Sequence, residues 1–269
     1  PQELETNYLP PKHLRISVDK ASILKHGIVK AEDADKIESY VDIEITSNSL
    51  PKNRLLMLDI VANNNWERPI YFTGGAFGDG DYIWMKDYLQ LDGLCYKLVP
   101  IRTSVDRANP FDMGRVDPEK MYSLVSEWKW GNSGNDNVYH DVETRKNGIT
   151  YRGKLASLIE ALINNDELDK AEEIADVAME KRPVDYNGYY TLLEPYISAY
   201  YEVGAKEKAR KLFKDVSIKY QENLTYYSSL DQNKQRQLGE LIITDIERYK
   251  ALVDVVMNYD DELAKTETR

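Results

Sequence analysis

Several parts of this chain carry residue types from which chemistry could be built. A glycine-rich run, Thr73-Gly74-Gly75-Ala76-Phe77-Gly78-Asp79-Gly80, follows an apolar stretch, as a phosphate-cradling loop follows a strand. Its order, G-G-x-x-G-x-G, fits neither the dinucleotide fingerprint nor the P-loop, which needs Lys and then Ser or Thr. A structural turn accounts for it more simply; a ligand, if one bound there, would meet Gly75, Asp79 and Asp81. Asp79, Asp81 and Asp87 also suggest calcium. Position 83 is Ile83, however, and no Glu stands at the twelfth place that a helix-loop-helix calcium site requires. His13, His26 and His140 are widely separated and lack metal-ligand spacing. The lone Cys95, in the apolar run 94–99, reads as a small buried hydrophobe. There is no G-x-S-x-G elbow. No catalytic residue, metal or cofactor is therefore expected.

Aromatic residues offer binding rather than catalysis. In Asn63-Asn64-Asn65-Trp66-Glu67-Arg68-Pro69-Ile70-Tyr71-Phe72 the asparagines can hold a turn, and Trp66 could stack with Arg68 as a cation–π pair. The plainer alternative is a helix-to-strand connection with an aromatic plug. The chain has 20 tyrosines. Nine fall at 186, 189, 190, 196, 200, 201, 220, 226 and 227. A buried tyrosine needs a partner for its hydroxyl, so not all of them are expected in the core. Tyr186, Tyr189, Tyr190, Tyr200, Tyr201 and Tyr227 are the candidates for a ligand-binding face suited to a protein or a glycan.

These residues must be held by elements that the patterning predicts. Alternating apolar and polar residues at 13–18 and 40–45 predict half-buried strands. The dense run 55–61 predicts a buried helix starting near Pro51 and ending at the asparagines. Runs 69–72 and 94–100, bounded by Gly and Pro, predict core strands. Asp117-Pro118 marks a helix start, since Asp can accept from orphan N–H groups and Pro has no N–H to leave unpaired; that helix should run to about Trp128. Asp141 is expected to cap another. The polar segment 130–137 is the best domain boundary.

Beyond it, two stretches repeat at a constant offset of 38 residues. Leu155, Leu158, Ile159, Leu162, Ala171, Ala175, Ala178 and Pro183 recur as Leu193, Tyr196, Ile197, Tyr200, Ala209, Phe213, Val216 and Gln221. Each stretch reads as a helical hairpin with small residues at the contact, closed by Asn164-Asn165-Asp166 in the first and by Gly204 in the second. Pro195 should start or kink the first helix of the second hairpin. A last helix, about 235–259, carries a stripe of Leu238, Leu241, Ile242, Tyr249, Leu252, Val253 and Val256 that would cap the stack. The expected fold class is α+β: a linker at 1–12, a mixed α/β domain at 13–131, and an all-α repeat domain at 138–269.

Composition narrows the partners. Apolar residues make up 42% of the chain and the net charge is −11, so the chain can build cores but offers no Lys/Arg face for nucleic acid. No apolar run approaches the roughly 20 residues of a membrane helix. The chain begins at Pro1 without an initiator Met, and is expected to be part of a longer protein.

The hairpins at 149–221 resemble tetratricopeptide repeats, on Ala171, Ala209, Ala178 and Pro183; Val216 and Gln221 depart from that pattern. A wider resemblance rests on 64–72 and on Leu89-Gln90-Leu91-Asp92-Gly93-Leu94, Tyr96-Lys97-Leu98-Val99-Pro100-Ile101, Phe111-Asp112-Met113-Gly114-Arg115 and Tyr189-Tyr190-Thr191-Leu192-Leu193-Glu194-Pro195. Together these are similar to the C-terminal region of a family of bacterial multi-spanning membrane proteins of unknown function. The N-terminal parts of that family resemble protein O-mannosyltransferases of the GT-C type. The resemblance implies a soluble tail of a membrane-embedded parent, facing the periplasm. It implies no catalytic residue here, because such enzymes place their catalytic acid in an early loop beside the membrane helices. The expected role is accessory: binding an acceptor protein or glycan through the repeat groove. A protein-interaction scaffold and an enzyme built on the 73–81 loop are the alternatives. Oligomeric state is not legible.

Overall fold

Strand alternation at the start of the chain gives β1 (His13–Ser17) and β2 (Tyr40–Glu44), an antiparallel pair in which Ile16 lies opposite Val41 and Leu14 opposite Ile43. Val41 and Ile43 are fully buried, while Arg15 and Asp42 pair on the wet face. The computed structural model describes residues 11–73, 79–106 and 112–267, without the side chains of Asp79 and Glu267. Most of the expected linker, and Gly75, lie outside the described residues. The chain divides into two compact units, Pro1–Val125 and Ser126–Arg269.

In the first unit, α1 (Lys20–Lys25) is capped by Asp19, which accepts from the Ala21 and Ser22 N–H groups. Next come a short 3-10 turn (Ala31–Lys36), α2 (Lys52–Asn63), β3 (Tyr71–Thr73), β4 (Leu89–Asp92), β5 (Cys95–Leu98), β6 (Arg115–Val116) and α3 (Pro118–Ser126). The last four strands form one sheet in the order β3-β5-β4-β6, antiparallel except for the β4–β6 pair. Two expectations are corrected. The helix over 55–61 exists, but only Leu58 and Val61 are buried; Leu55, Leu56 and Ile60 are exposed. Its apolar density exceeds what one buried stripe can use. The helix after Asp117 stops at Ser126, short of Trp128; Asp117 does accept from the Lys120 N–H at 3.2 Å.

Gly114 has no substitute in its place. Its φ is +67°, and an added Cβ would fall 2.0 Å from the Leu89 carbonyl oxygen. That approach lets β6 lie against β4 and sets Arg115 opposite Gln90.

The second unit is helical: α4 (Val142–Lys146), α5 (Gly148–Asn164), α6 (Leu168–Lys181), α7 (Val184–Asn187), α8 (Glu194–Glu202), α9 (Lys206–Ser228), α10 (Gln232–Gln237), α11 (Gly239–Tyr259) and α12 (Asp261–Glu267). Asp141 caps α4 through the Glu143 and Thr144 N–H groups. Helices α5 and α6 pack as one hairpin, α8 and α9 as a second, and α8 also packs on both members of the first. The offset of 38 survives in three dimensions. Leu155, Leu158, Ile159, Leu162, Ala171, Ala175 and Ala178 are buried, and so are their counterparts Leu193, Tyr196, Ile197, Tyr200, Ala209, Phe213 and Val216. The turns repeat as well. Asp166 has φ +60° and Gly204 φ +83°. The Glu167 N–H donates to the Leu162 carbonyl at 2.9 Å, and the Ala205 N–H to that of Tyr200 at 2.7 Å. These are the closing bonds of a left-handed helix terminus. Truncating a fully buried Leu such as Leu158 would cost about 2–5 kcal/mol.

The second hairpin departs from the first for local reasons. Pro195 sits in the first turn of α8 and starts it rather than kinking it. Gln221 replaces the helix-stopping Pro183, so α9 runs on to Ser228. The last helix is not continuous: Leu238 separates α10 from α11. Leu241, placed in its buried stripe, is exposed along with Ile243 and Ile246; burial is deepest at Asp245, Leu252 and Val256.

Candidate functional site

Side chains singled out in the first unit are scattered. Trp66, with φ +56°, is buried and its indole N–H donates to the Ser17 carbonyl at 2.9 Å. It is the aromatic plug between α2 and β3. Arg68 is exposed, and its carbonyl accepts from the Asn64 side chain at 2.8 Å. Asp81 pairs with Arg54. Asp79 begins a short 3-10 turn, Asp79–Tyr82.

A polar cluster that the sequence reading passed over lies across the four-stranded sheet. Residues directly opposite one another share a face, so the register sets Tyr71, Lys97, Gln90 and Arg115 in one row. Asp92 stands opposite Cys95 on the same face. The alternate row, Phe72, Tyr96 and Leu91, is apolar, with Tyr82 against Phe72 and Tyr96. The Asp92 carboxylate accepts from Lys120 of α3 at 2.5 Å and from Gln90 at 2.9 Å. Lys97 lies 3.4 Å from it, and both side chains are at most 5% exposed. Arg115 reaches Asp33 of the 3-10 turn at 2.9 Å, and its buried Nη1 has no partner among the described residues.

Burial pushes the Lys97 amine down to about 8, aided by the like charge of Lys120 and opposed by Asp92. Burial would raise Asp92, but its bonds from Lys120 and Gln90 and the charge of Lys97 hold it below the ordinary carboxylate value. The arrangement can hold or release one proton at Lys97 and ties α3 to the sheet. Its signal was present in the sequence: polar residues at alternate positions of Gln90-Leu91-Asp92, which was not expected as a strand, and of Cys95-Tyr96-Lys97, inside the run 94–100 expected as a core strand.

In the second unit the structure separates the candidate tyrosines into two kinds. Tyr200 and Tyr227 are core residues, which corrects their placement on a ligand-binding face. Tyr200 donates to Asp176 at 2.9 Å and Tyr227 to the buried Asp245 at 3.0 Å. Their hydroxyls found carboxylates on neighbouring helices, so burial left no polar atom unmatched. Tyr186, Tyr189, Tyr190 and Tyr201 remain part-exposed. Tyr186 donates to the Val138 carbonyl and accepts from the His140 N–H at 3.0 Å. Tyr201 donates to Asp260 at 3.2 Å and stacks on Tyr259 with ring centres 5.4 Å apart; burial and the Asp260 charge raise it to about 12. Tyr190, Tyr220 and Tyr249 form a chain of rings with centres 6.4 and 6.5 Å apart, one each from the 188–192 segment, α9 and α11.

Two arginines missed in the sequence lie at the base of the first hairpin. Arg152 occupies the apolar stripe of α5, one turn before Leu155, and is 1% exposed. Arg182 ends α6, is buried, and lies over the Tyr151 ring at 4.7 Å. Trp128, Trp130 and Tyr151 contact one another edge-on or tilted, with centres 5.3 to 5.8 Å apart. A charge on a helix's buried stripe was the legible signal for Arg152.

Among the described residues no group of three His, Cys, Asp or Glu is placed to hold a metal ion, and no helix is long and apolar enough to cross a membrane. No curated protein and no solved structure matches the chain. Residues 2–120 match the family model described as TMEM260-associated domain 2. The first unit is thus similar, over nearly its whole length, to a domain that accompanies a membrane protein.

Proposed function

We propose that this chain is a non-catalytic accessory region of a GT-C-like membrane glycosyltransferase, held on the periplasmic side of a bacterial membrane, and that its tetratricopeptide-like unit binds the acceptor protein or its glycan. The observation that carries the reading is the match of residues 2–120 to a domain associated with a membrane protein. The repeated hairpins support it, because stacked helix pairs present extended binding surfaces. The part-exposed rings of Tyr190 and Tyr249, beside the core ring of Tyr220, supply flat apolar area with hydroxyl rims. An accessory role needs no catalytic group in this chain.

The test is a glycan array and an array of envelope-protein peptides, probed with the full chain and with Tyr190→Ala and Tyr249→Ala. A ligand retained by the parent and weakened about tenfold or more by either substitution, at unchanged Tm, supports the reading. Two empty arrays refute it. A scaffold that docks another envelope protein is the second reading, favoured by the exposed Leu241, Ile243 and Ile246 of α11. A ligand lost on Ile243→Lys but kept in Tyr190→Ala would select it.

A further inference from the structure

We propose that Arg152 and Arg182 form a phosphate-binding site beneath the 188–192 segment. Arg152 is 1% exposed, and among the described residues its Nε and Nη2 have no hydrogen-bond partner; the Nε of the buried Arg182 has none either. Among the described residues only Nη1 of Arg152 is engaged, by the carbonyls of Gly188, at 3.4 Å, and of Tyr189. No ion pair to either arginine occurs among the described residues. Nε and Nη2 make up the side edge of a guanidinium, two parallel donors spaced for two oxygens of one oxyanion. An unpaired buried charge is among the costliest arrangements a core can contain.

The two arginines stand close enough to oppose each other's charge. A doubly charged phosphate answers that pair better than a carboxylate does. The tyrosines around Arg152 do not supply the missing anion, since burial drives the hydroxyls of Tyr196 and Tyr220 upward and keeps them neutral. The way in is the 188–192 segment. Gly188, Tyr189 and Leu192 have φ of +64°, +51° and +57°. For the two non-glycine residues this is costly backbone of the kind found where a chain opens and closes. Displacing the segment frees Nη1, the donor that its carbonyls hold.

The inference goes beyond the acceptor-binding reading and does not rest on it. The experiment follows thermal unfolding of the full chain in inorganic phosphate against sodium chloride of equal ionic strength, with Arg152→Met and Arg182→Gln beside the parent. Sedimentation with vesicles of phosphatidic acid in phosphatidylcholine separates a lipid headgroup from free phosphate. At a phosphate concentration about a hundred times the Kd, the parent's Tm should rise by about 5 °C or more. The rise should vanish in Arg152→Met, whose Tm in chloride stays at or above the parent's because a buried unpaired charge has gone. Should Arg152→Met fail to fold, Arg182→Gln carries the same comparison. Vesicle binding that depends on these arginines, without a phosphate shift, also supports the site and assigns it to a lipid. A phosphate shift equal in parent and variants, or neither shift nor sedimentation, overturns it.

Discussion

Replacing Asp92 by Asn isolates what the buried cluster contributes to the first unit. The substitution keeps the shape of the side chain and removes its charge. It leaves Lys97, 3% exposed, without the carboxylate 3.4 Å away, and leaves Lys120 without its bond of 2.5 Å. Breaking one side of a buried ion pair costs about 3–5 kcal/mol, because the remaining charge stays desolvated. For a unit of this size that loss lowers Tm by roughly 10–15 °C. Lys97→Met is expected to be neutral or mildly stabilising, and Asp92→Asn/Lys97→Met should recover most of the deficit. Equilibrium denaturation of the four proteins closes the cycle.

The pH dependence gives a second signature. Lys97 is lowered to about 8, so the folded protein gives up this proton before the unfolded chain does. From there to the ordinary lysine value near 10.5 the unfolded state binds more protons, and the stability that this group governs rises with pH. In Asp92→Asn the amine loses its attraction to the carboxylate and titrates lower still. The Asp92→Asn deficit should therefore be smaller at pH 9.5 than at pH 7. A loss below about 1 kcal/mol at pH 7, or a double variant no more stable than Asp92→Asn, would refute the ion-pair account.

The equivalent turns should respond with opposite signs. Gly204→Ala, at φ +83° with none of the described residues within 4 Å of the added Cβ, is strained by its backbone alone and should cost about 1 kcal/mol. Asp166→Gly, at φ +60°, relieves the same conformation and should gain about 0.5 kcal/mol, or at least lose less than Gly204→Ala; urea midpoints decide. Asp260 is held far below the ordinary carboxylate range, chiefly by hydrogen bonds from Arg210 and then by the Leu263 N–H and Lys206 against the opposing effect of burial. Its contribution is full above the unfolded value near 3.9 and is lost as pH falls below that toward the folded value. Asp260→Asn should lower Tm at pH 6, and the gap to the parent should narrow by pH 2.5.

What the sequence alone determined is whatever repeats locally. Alternation placed β1 and β2, and apolar runs bounded by Gly and Pro placed β3 and β5; β4 and β6 were not among the expected strands. Asp117 and Asp141 announced helix starts. The offset of 38 residues fixed two hairpins, their buried faces and the turns at Asp166 and Gly204. Each of these depends on a few neighbouring residues and on the 2.0 or 3.6 period of the backbone. The tertiary structure decided everything that depends on a partner distant in the chain. Tyr200, the offset partner of Leu162, was legible as a core residue, but the carboxylate that takes its hydroxyl, Asp176, lies on another helix; Tyr227 could look like a surface tyrosine until Asp245 took its hydroxyl. Lys97 meets Asp92 only because the β4–β5 register places them on one face, and α3 then seals that face with Lys120. Arg152 stood in plain view on an apolar stripe, but whether its charge would be matched was settled by chain 36 residues away, which supplied carbonyls and no carboxylate. Periodicity tells which way a side chain points; only the assembled fold determines what it meets there.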